Sequence, residues 1–229
     1  MARIARIVVP GVPHHVTQRG NRGESIFFEE DDYALYRDLL AEGCAGNRVA
    51  VWSYCLMPNH VHLIMVPAAA EGLARALGEA HRRYTGYINA RHRVTGHLFQ
   101  GRFGSVAMDE PHLLAAARYV ALNPVSARLV KRARDWRWSS VRAHLAGKDD
   151  VLTAVRPLLD RIPDFAEFLR TPGDEAAESA LLAAQTIGRP LMAESAVRAL
   201  ERRLERSILP RKRGPKRVVG VDKKQIELP

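Results

Sequence analysis

His60 and His62 stand one residue apart, in His60-Val61-His62, and form the sharpest chemical feature of the chain. On a β-strand, alternate side chains share a face, so both imidazoles would point the same way. Two imidazoles side by side make half of a site for a divalent cation. The other reading is two histidines on a solvated strand face. A second pair lies at Tyr119 and Asn123. Leu113, Ala116, Ala117 and Val120 recur at i, i+3, i+4 and i+7, the stripe of an amphipathic helix over 110–123. Tyr119 and Asn123 lie off that stripe, on one flank, about 40° apart around the helix. A phenol and a carboxamide there can reach one small volume. Alternatively, Tyr119 packs half-buried and Asn123 caps the helix before Pro124.

The elements that must position these groups are legible in outline. Residues 4–9 and 14–18 are short extended runs around Pro10-Gly11-Val12-Pro13 and predict strand. Glu29, Glu30, Asp31 and Asp32 precede an apolar series, and acid at a helix start complements the macrodipole, so a helix is expected over 31–45. Residues 49–56 and 60–66 read as a hairpin turning at Met57-Pro58-Asn59. A long basic-faced helix is expected over 70–93, then a loop leading into a short strand by Ala107. Asp109 caps the tyrosine helix, and Pro124 is expected to end it. The pattern predicts an α+β fold, a compact antiparallel sheet with helices on one face.

The 229 residues carry 35 Lys+Arg against 25 Asp+Glu, a net charge of +10 that favours a polyanionic partner, most often nucleic acid. Residues 1–148 hold 20 basic and 12 acidic groups, 149–206 hold 8 and 11, and 207–229 hold 7 and 2. The expected division is a body over 1–147, a helical extension over 148–209 and a disordered basic tail over 210–229. Within the extension, Val197, Leu200, Leu204 and Ile208 mark one more amphipathic helix over 195–208. Cys44 and Cys55 have no metal-ligand spacing, which argues against a disulfide framework and for a reducing cytoplasm. The longest apolar stretch, 63–70, is far short of the roughly 20 residues of a membrane helix. No signal peptide is expected, because no apolar segment follows the first arginines.

Other residues are candidates for nucleic-acid contact. Arg82, Arg83, Arg91, Arg93 and Arg102, with Tyr84, Tyr87 and Phe103, suit a backbone-tracking surface with stacking aromatics, or simply a solvated helix face. Gln18, Arg19 and Arg22 lie near the first strand, and Arg211, Lys212 and Arg213 open the tail. Tail contacts would be mostly to phosphates. His14 and His15 are adjacent, so on a strand they point to opposite faces and cannot both enter one site. His81, His92, His97, His112 and His144 are scattered and read as ordinary histidines.

Taken together, these stretches resemble the single-tyrosine HUH transposases, the small insertion-sequence enzymes and the REP-associated tyrosine transposases. The matching segments are Val12-Pro13-His14-His15-Val16-Thr17-Gln18-Arg19-Gly20-Asn21-Arg22, Met57-Pro58-Asn59-His60-Val61-His62-Leu63-Ile64, Leu98-Phe99-Gln100-Gly101-Arg102-Phe103 and Arg118-Tyr119-Val120-Ala121-Leu122-Asn123-Pro124-Val125. They occur in the family's order and span about residues 3–145. The extension beyond them looks more like the REP-associated branch. The resemblance implies a ferredoxin-like or RRM-like sheet with the tyrosine helix packed nearby. It implies metal-dependent cleavage and rejoining of single-stranded hairpin or repeat DNA through a 5′-phosphotyrosine, in the bacterial cytoplasm at the nucleoid. By position, His60 and His62 would be metal ligands and Tyr119 the nucleophile. Asn123 would be a third ligand, where some members carry Gln. The cation would be Mg²⁺ or Mn²⁺. Compact relatives are homodimers whose tyrosine helix can serve the partner's site, whereas REP-associated relatives need not be, so monomer and homodimer both stay open.

The chemistry agrees. A phenol has a reference pKa of about 10 and needs a cation that polarises the scissile phosphate. A covalent tyrosine ester conserves the phosphodiester, so rejoining needs no ATP, and no GxxxxGK[ST] loop is present. Two other classes stay open from sequence: a metal-dependent nuclease using water, and a non-catalytic protein that occupies repeat DNA.

Overall fold

The computed structural model describes residues 6–209, the side chain of Thr186 apart. Arg211, Lys212 and Arg213 therefore lie outside the described residues, as does the rest of the basic tail.

The body runs β1 (His14–Arg19), α1 (Glu30–Gly46), β2 (Val49–Met57), β3 (His60–Pro67), α2 (Gly72–His92), β4 (Gly104–Ala107) and α3 (Glu110–Ser126). Its four strands form one antiparallel sheet in the order β2-β3-β1-β4. A βαββαβ chain with that order is the ferredoxin-like arrangement. Then follow α4 (Val141–Ala146), α5 (Arg156–Leu159), α6 (Phe165–Arg170), α7 (Glu175–Ile187) and α8 (Glu194–Leu204).

Local chemistry explains the boundaries. Glu29 and Asp32 form a reciprocal capping box at the start of α1, with three acids in its first turn. The Asp109 carboxylate accepts from the His112 N–H at the start of α3. Gly20, which links β1 to a 3₁₀ turn at Asn21–Gly23, has no room for a side chain: a Cβ there would fall 2.1 Å from the Glu24 carbonyl oxygen.

Both faces of the sheet are covered. On the first, Val16, Val61, Leu63 and Met65 pack against Tyr36 and Leu40 of α1 and Leu73, Leu77 and Tyr84 of α2. On the second, Cys55, Met57 and Ile64 meet Leu113, Ala117 and Val120 of α3, with Leu158, Phe165 and Leu181 of the extension behind them. Each fully buried Val, Leu, Ile, Phe or Met among them contributes about 1.5–3 kcal/mol. The expected sheet with helices on one face is formed by α1 and α2. The second cover exists because β3 is buried on both sides, from Val61 to Met65.

Three local expectations change. Residues 6–9 form no strand; β1 is already paired on both edges, and Ile7 and Val9 serve as apolar anchors against Ala107, Val197 and Leu200. Pro124 does not end α3, which runs on to Ser126. The amide that proline lacks costs one bond near the helix end, while Pro124 itself is buried and Val125 packs into the second core. In the last helix, the stripe breaks after Leu204, where Glu205 turns left-handed at φ 49°. Leu204 is 40% exposed, whereas Ile208 reaches the core from non-helical backbone.

Candidate active site

The strand register builds the site. Thr17 of β1 and Cys55 of β2 oppose His62, and Arg19 and Met57 oppose His60. Residues opposed across antiparallel strands share a face. His15, Thr17, Arg19, His60 and His62 therefore project from the second face, toward α3. Within one chain, the Tyr119 ring lies edge-on to His62 with centroids 5.1 Å apart, and His60 and His62 meet at 4.8 Å. The cleft is about 520 Å³ and is lined by Thr17, Gln18, Arg19, His60, His62, Gln100, Arg102, Tyr119 and Gln185.

Each histidine is held through one ring nitrogen. His60 Nδ1 lies 2.6 Å from the Asn59 side-chain oxygen. Asn59 donates its own amide to the Gly23 carbonyl at 3.0 Å, which fixes that oxygen as the acceptor. His60 must then carry its proton on Nδ1, and Nε2 is its lone-pair nitrogen. His62 Nδ1 is 3.1 Å from His15 Nε2, and the two rings stack at 5.2 Å. His62 Nε2 is buried and has no hydrogen-bond partner.

Burial pushes His60 down to about 4, assisted by the positive charge of Arg19 and opposed by the Asn123 amide. Burial also holds His62 well below its ordinary value, with His15, His60 and Arg19 adding to the effect. His15 is pushed down to about 3 by burial. The site imidazoles are thus neutral at physiological pH, the form in which they ligate a cation. Tyr119 is raised by burial, against the pull of the Gln185 and Asn123 amides and of Arg19. Its hydroxyl is therefore protonated at physiological pH.

The four expected site residues come together, with Asn123 buried beside both His60 and Tyr119. The expected DNA contacts divide. Arg19 and Arg102 line the cleft. Gln18 borders it but is only 3% exposed, and its amide reaches the carbonyls of Arg19 and Gly101. Arg22 sits left-handed at φ 55° in the turn after β1 and lines a different groove, toward the end of α2. Arg82 and Arg83 belong to α2, across the sheet from the histidines, and pair with Glu79 and Glu42 at 2.8 and 2.7 Å.

Three residues of the site carry no sequence signal of their own. His15 is one of an adjacent pair, and its neighbour His14 turns to the other face, bonded to Val12 and Val9 backbone. Asn59 reads only as a turn residue, and Gln185 lies in an alanine-rich helix of the extension. Among the described residues, no group of three or more His, Cys, Asp or Glu clusters as a metal cage. The nitrogen pair described above is supplemented only by amide and hydroxyl groups. No helix among the described residues is long and apolar enough to cross a membrane.

Comparison with known proteins agrees with this architecture. A REP-associated tyrosine transposase solved with a REP hairpin is 20% identical; the match covers 67% of this chain and 92% of that one, with a TM-score of 0.56. At that identity the likeness is one of fold. A chain from Deinococcus radiodurans R1, proposed to be a transposase, is 19% identical over 52% of this chain and 95% of that one, with a TM-score of 0.37. No curated protein matches. The family described as "Transposase IS200 like" matches residues 9–123, half of the chain, and spans every strand and the helix as far as Asn123. The chain belongs to the IS200-like transposase family.

Proposed function

We propose that this protein cleaves and rejoins single-stranded DNA through a covalent phosphotyrosine on Tyr119. The observation that carries the reading is the Tyr119 ring set 5.1 Å from His62 in a cleft shared with His60 and Arg19. Family membership supports strand-transfer chemistry, and the fold relative bound to a REP hairpin supports hairpin DNA as the substrate.

In the proposed step, the Tyr119 oxygen bonds to a backbone phosphorus and the bond from phosphorus to the 3′ oxygen breaks. The electron pair leaves with that oxygen, which takes up a proton in place of the one the phenol releases. The DNA 5′ end stays on the tyrosine. Attack by a 3′ hydroxyl reverses the step and rejoins a strand without nucleotide hydrolysis.

The donor set fits a divalent cation. His62 Nε2 is buried without a partner, His60 Nε2 is freed by the bond to Asn59, and the Asn123 amide lies beside His60. Both rings give their other nitrogen to a neighbour, the arrangement that orients imidazole ligands. When bound, Mg²⁺ or Mn²⁺ would polarise the scissile phosphate and neutralise developing charge. Arg19 supplies a fixed positive charge at the cleft wall, where a phosphate oxygen would lie. The protein would meet its DNA in the cytoplasm.

The test incubates full-length protein with a hairpin-bearing single-stranded oligonucleotide and Mn²⁺, then resolves the products on a denaturing gel. A covalent adduct with wild type and none with Tyr119→Phe, at DNA affinity within a few-fold, is the expected result. Cleavage without adduct would assign water as nucleophile, and binding without cleavage would make the protein a non-catalytic occupant of repeat DNA.

A further inference from the structure

Gln185 reaches the cleft from α7, far along the chain from the helix that carries Tyr119. α7 starts at Asp174, whose carboxylate accepts from the Ala176 and Ala177 N–H groups, and closes at Gly188 with φ 80°. Ala177, Leu181 and Ala184 form its buried stripe. Glu178, Leu181 and Gln185 fall at i, i+3 and i+7, one face of the helix. The first member of that face is anchored: Arg118, directly before Tyr119, lies 4.0 Å from the Glu178 carboxylate and donates to the Phe168 carbonyl. The clamp joins the tyrosine helix to the extension and aims the rest of the face at the cleft.

The Gln185 amide is in the wall of that cleft with Tyr119, His62 and Arg102. Its Nε2 is buried and has no hydrogen-bond partner. A buried donor without a partner is costly to keep, so this N–H is available to an oxygen that gains negative charge or moves closer during the reaction. The Tyr119 hydroxyl shares the cleft wall with it, and the Gln185 amide opposes the upward shift of that phenol.

We propose that Gln185 is a further catalytic residue, whose Nε2–H donates to the reacting oxygen of Tyr119 in the transition state. The donor would stabilise charge on that oxygen as it forms its bond to phosphorus. It would do so again as the oxygen leaves during rejoining. No bond made or broken changes, since Gln185 contributes a hydrogen bond and no proton. The inference rests on the phosphotyrosine reading above. It makes the extension part of the chemistry rather than an appendage.

The experiment uses full-length protein, a hairpin-bearing oligonucleotide in single turnover, and saturating Mn²⁺. Gln185→Met keeps length and packing and removes the donor, while Gln185→Glu replaces it with an acceptor. Loss of one such preorganised donor typically costs about 100-fold or more in rate. The expected result is a 10- to 100-fold slower adduct formation and rejoining for Gln185→Met, and a larger loss for Gln185→Glu. DNA affinity and melting temperature should stay at wild-type levels in Gln185→Met, a split that a packing role would not produce. Adduct formation by Gln185→Met within about threefold of wild type overturns the inference while leaving Tyr119 in place. No adduct from wild type overturns both readings, and the two failures are told apart by that control.

Discussion

His15 Nε2 lies 3.1 Å from His62 Nδ1, and the two rings stack nearly parallel at 11°. The pair spans neighbouring strands and fixes which nitrogen of His62 faces the cleft. His15→Phe keeps a flat ring in the stack and removes the hydrogen bond. Partners of this kind contribute roughly 10- to 100-fold in affinity or activity. The expected outcome is an adduct yield that needs about tenfold more Mn²⁺ to reach half its maximum, read by titrating the cation. An unchanged midpoint would make His15 a packing residue.

The ligand set predicts a graded response. His60→Ala and His62→Ala should each abolish adduct formation, because each removes one of the two imidazoles. Asn123→Ala should be milder, since water replaces an oxygen ligand. Mn²⁺ should support at least as much activity as Mg²⁺, because imidazole favours the softer ion. Wild-type cleavage undiminished by EDTA would take the cation out of the mechanism.

Arg19 is exposed on the rim of the cleft, opposite His60 in the strand ladder. As a phosphate contact, it should contribute about 0.7 to the slope of log K against log salt on a single strand. Arg19→Ala should flatten that slope by about this amount and leave the ranking among hairpin sequences unchanged. A salt titration on cognate and scrambled hairpins reads both quantities.

Stability at low pH should depend on Asp32, whose buried carboxylate meets Arg91 in a two-toothed contact at 2.6 and 2.8 Å. Burial alone would raise this carboxyl. The Arg91 fork and the N–H groups of Phe28 and Glu29 outweigh it and hold the group below its ordinary value. A carboxyl depressed in the folded state stabilises above its unfolded pKa of about 3.9 and loses that contribution as pH falls through the folded value. Wild-type melting temperature should therefore drop below about pH 4 more steeply than that of Asp32→Asn. At neutral pH, Asp32→Asn should cost about 1.5–3 kcal/mol, because the charge-assisted bonds from Arg91 then end on a neutral amide. Parallel pH profiles of the two proteins would count against this.

Much of the site follows from two periodicities. The period of two put His60 and His62 on one side, and the helical period put Tyr119 and Asn123 on one flank. What escaped the sequence is what depends on register or long-range packing. Which of His14 and His15 faces the cleft is set by pairing with β3, 47 residues away for the His15–His62 contact. Gln185 joins through the contact between α7 and α3, which no local pattern encodes. Arg82 and Arg83 read as a DNA surface because a basic helix face looks the same on either side of a sheet. Their ion pairs with Glu79 and Glu42 belong to the side away from the histidines.

In β3, every residue from Val61 to Met65 is buried: Val61, Leu63 and Met65 face the core under α1 and α2, while on the other side His62 lines the cleft and Ile64 packs under α3. Fold and chemistry thus share one reading frame along the strand. A point substitution at His62 strikes the cleft alone. A one-residue insertion or deletion just before His60 would turn the imidazoles into the core under α1 and α2 and the aliphatic chains to the opposite side. Tolerance along this strand should therefore be lopsided: single replacements at His60 and His62 would leave folded, inactive protein, and length changes would leave none. A deep mutational library scored for soluble yield would show insertions between 60 and 65 depleted as strongly as charges placed at Leu63.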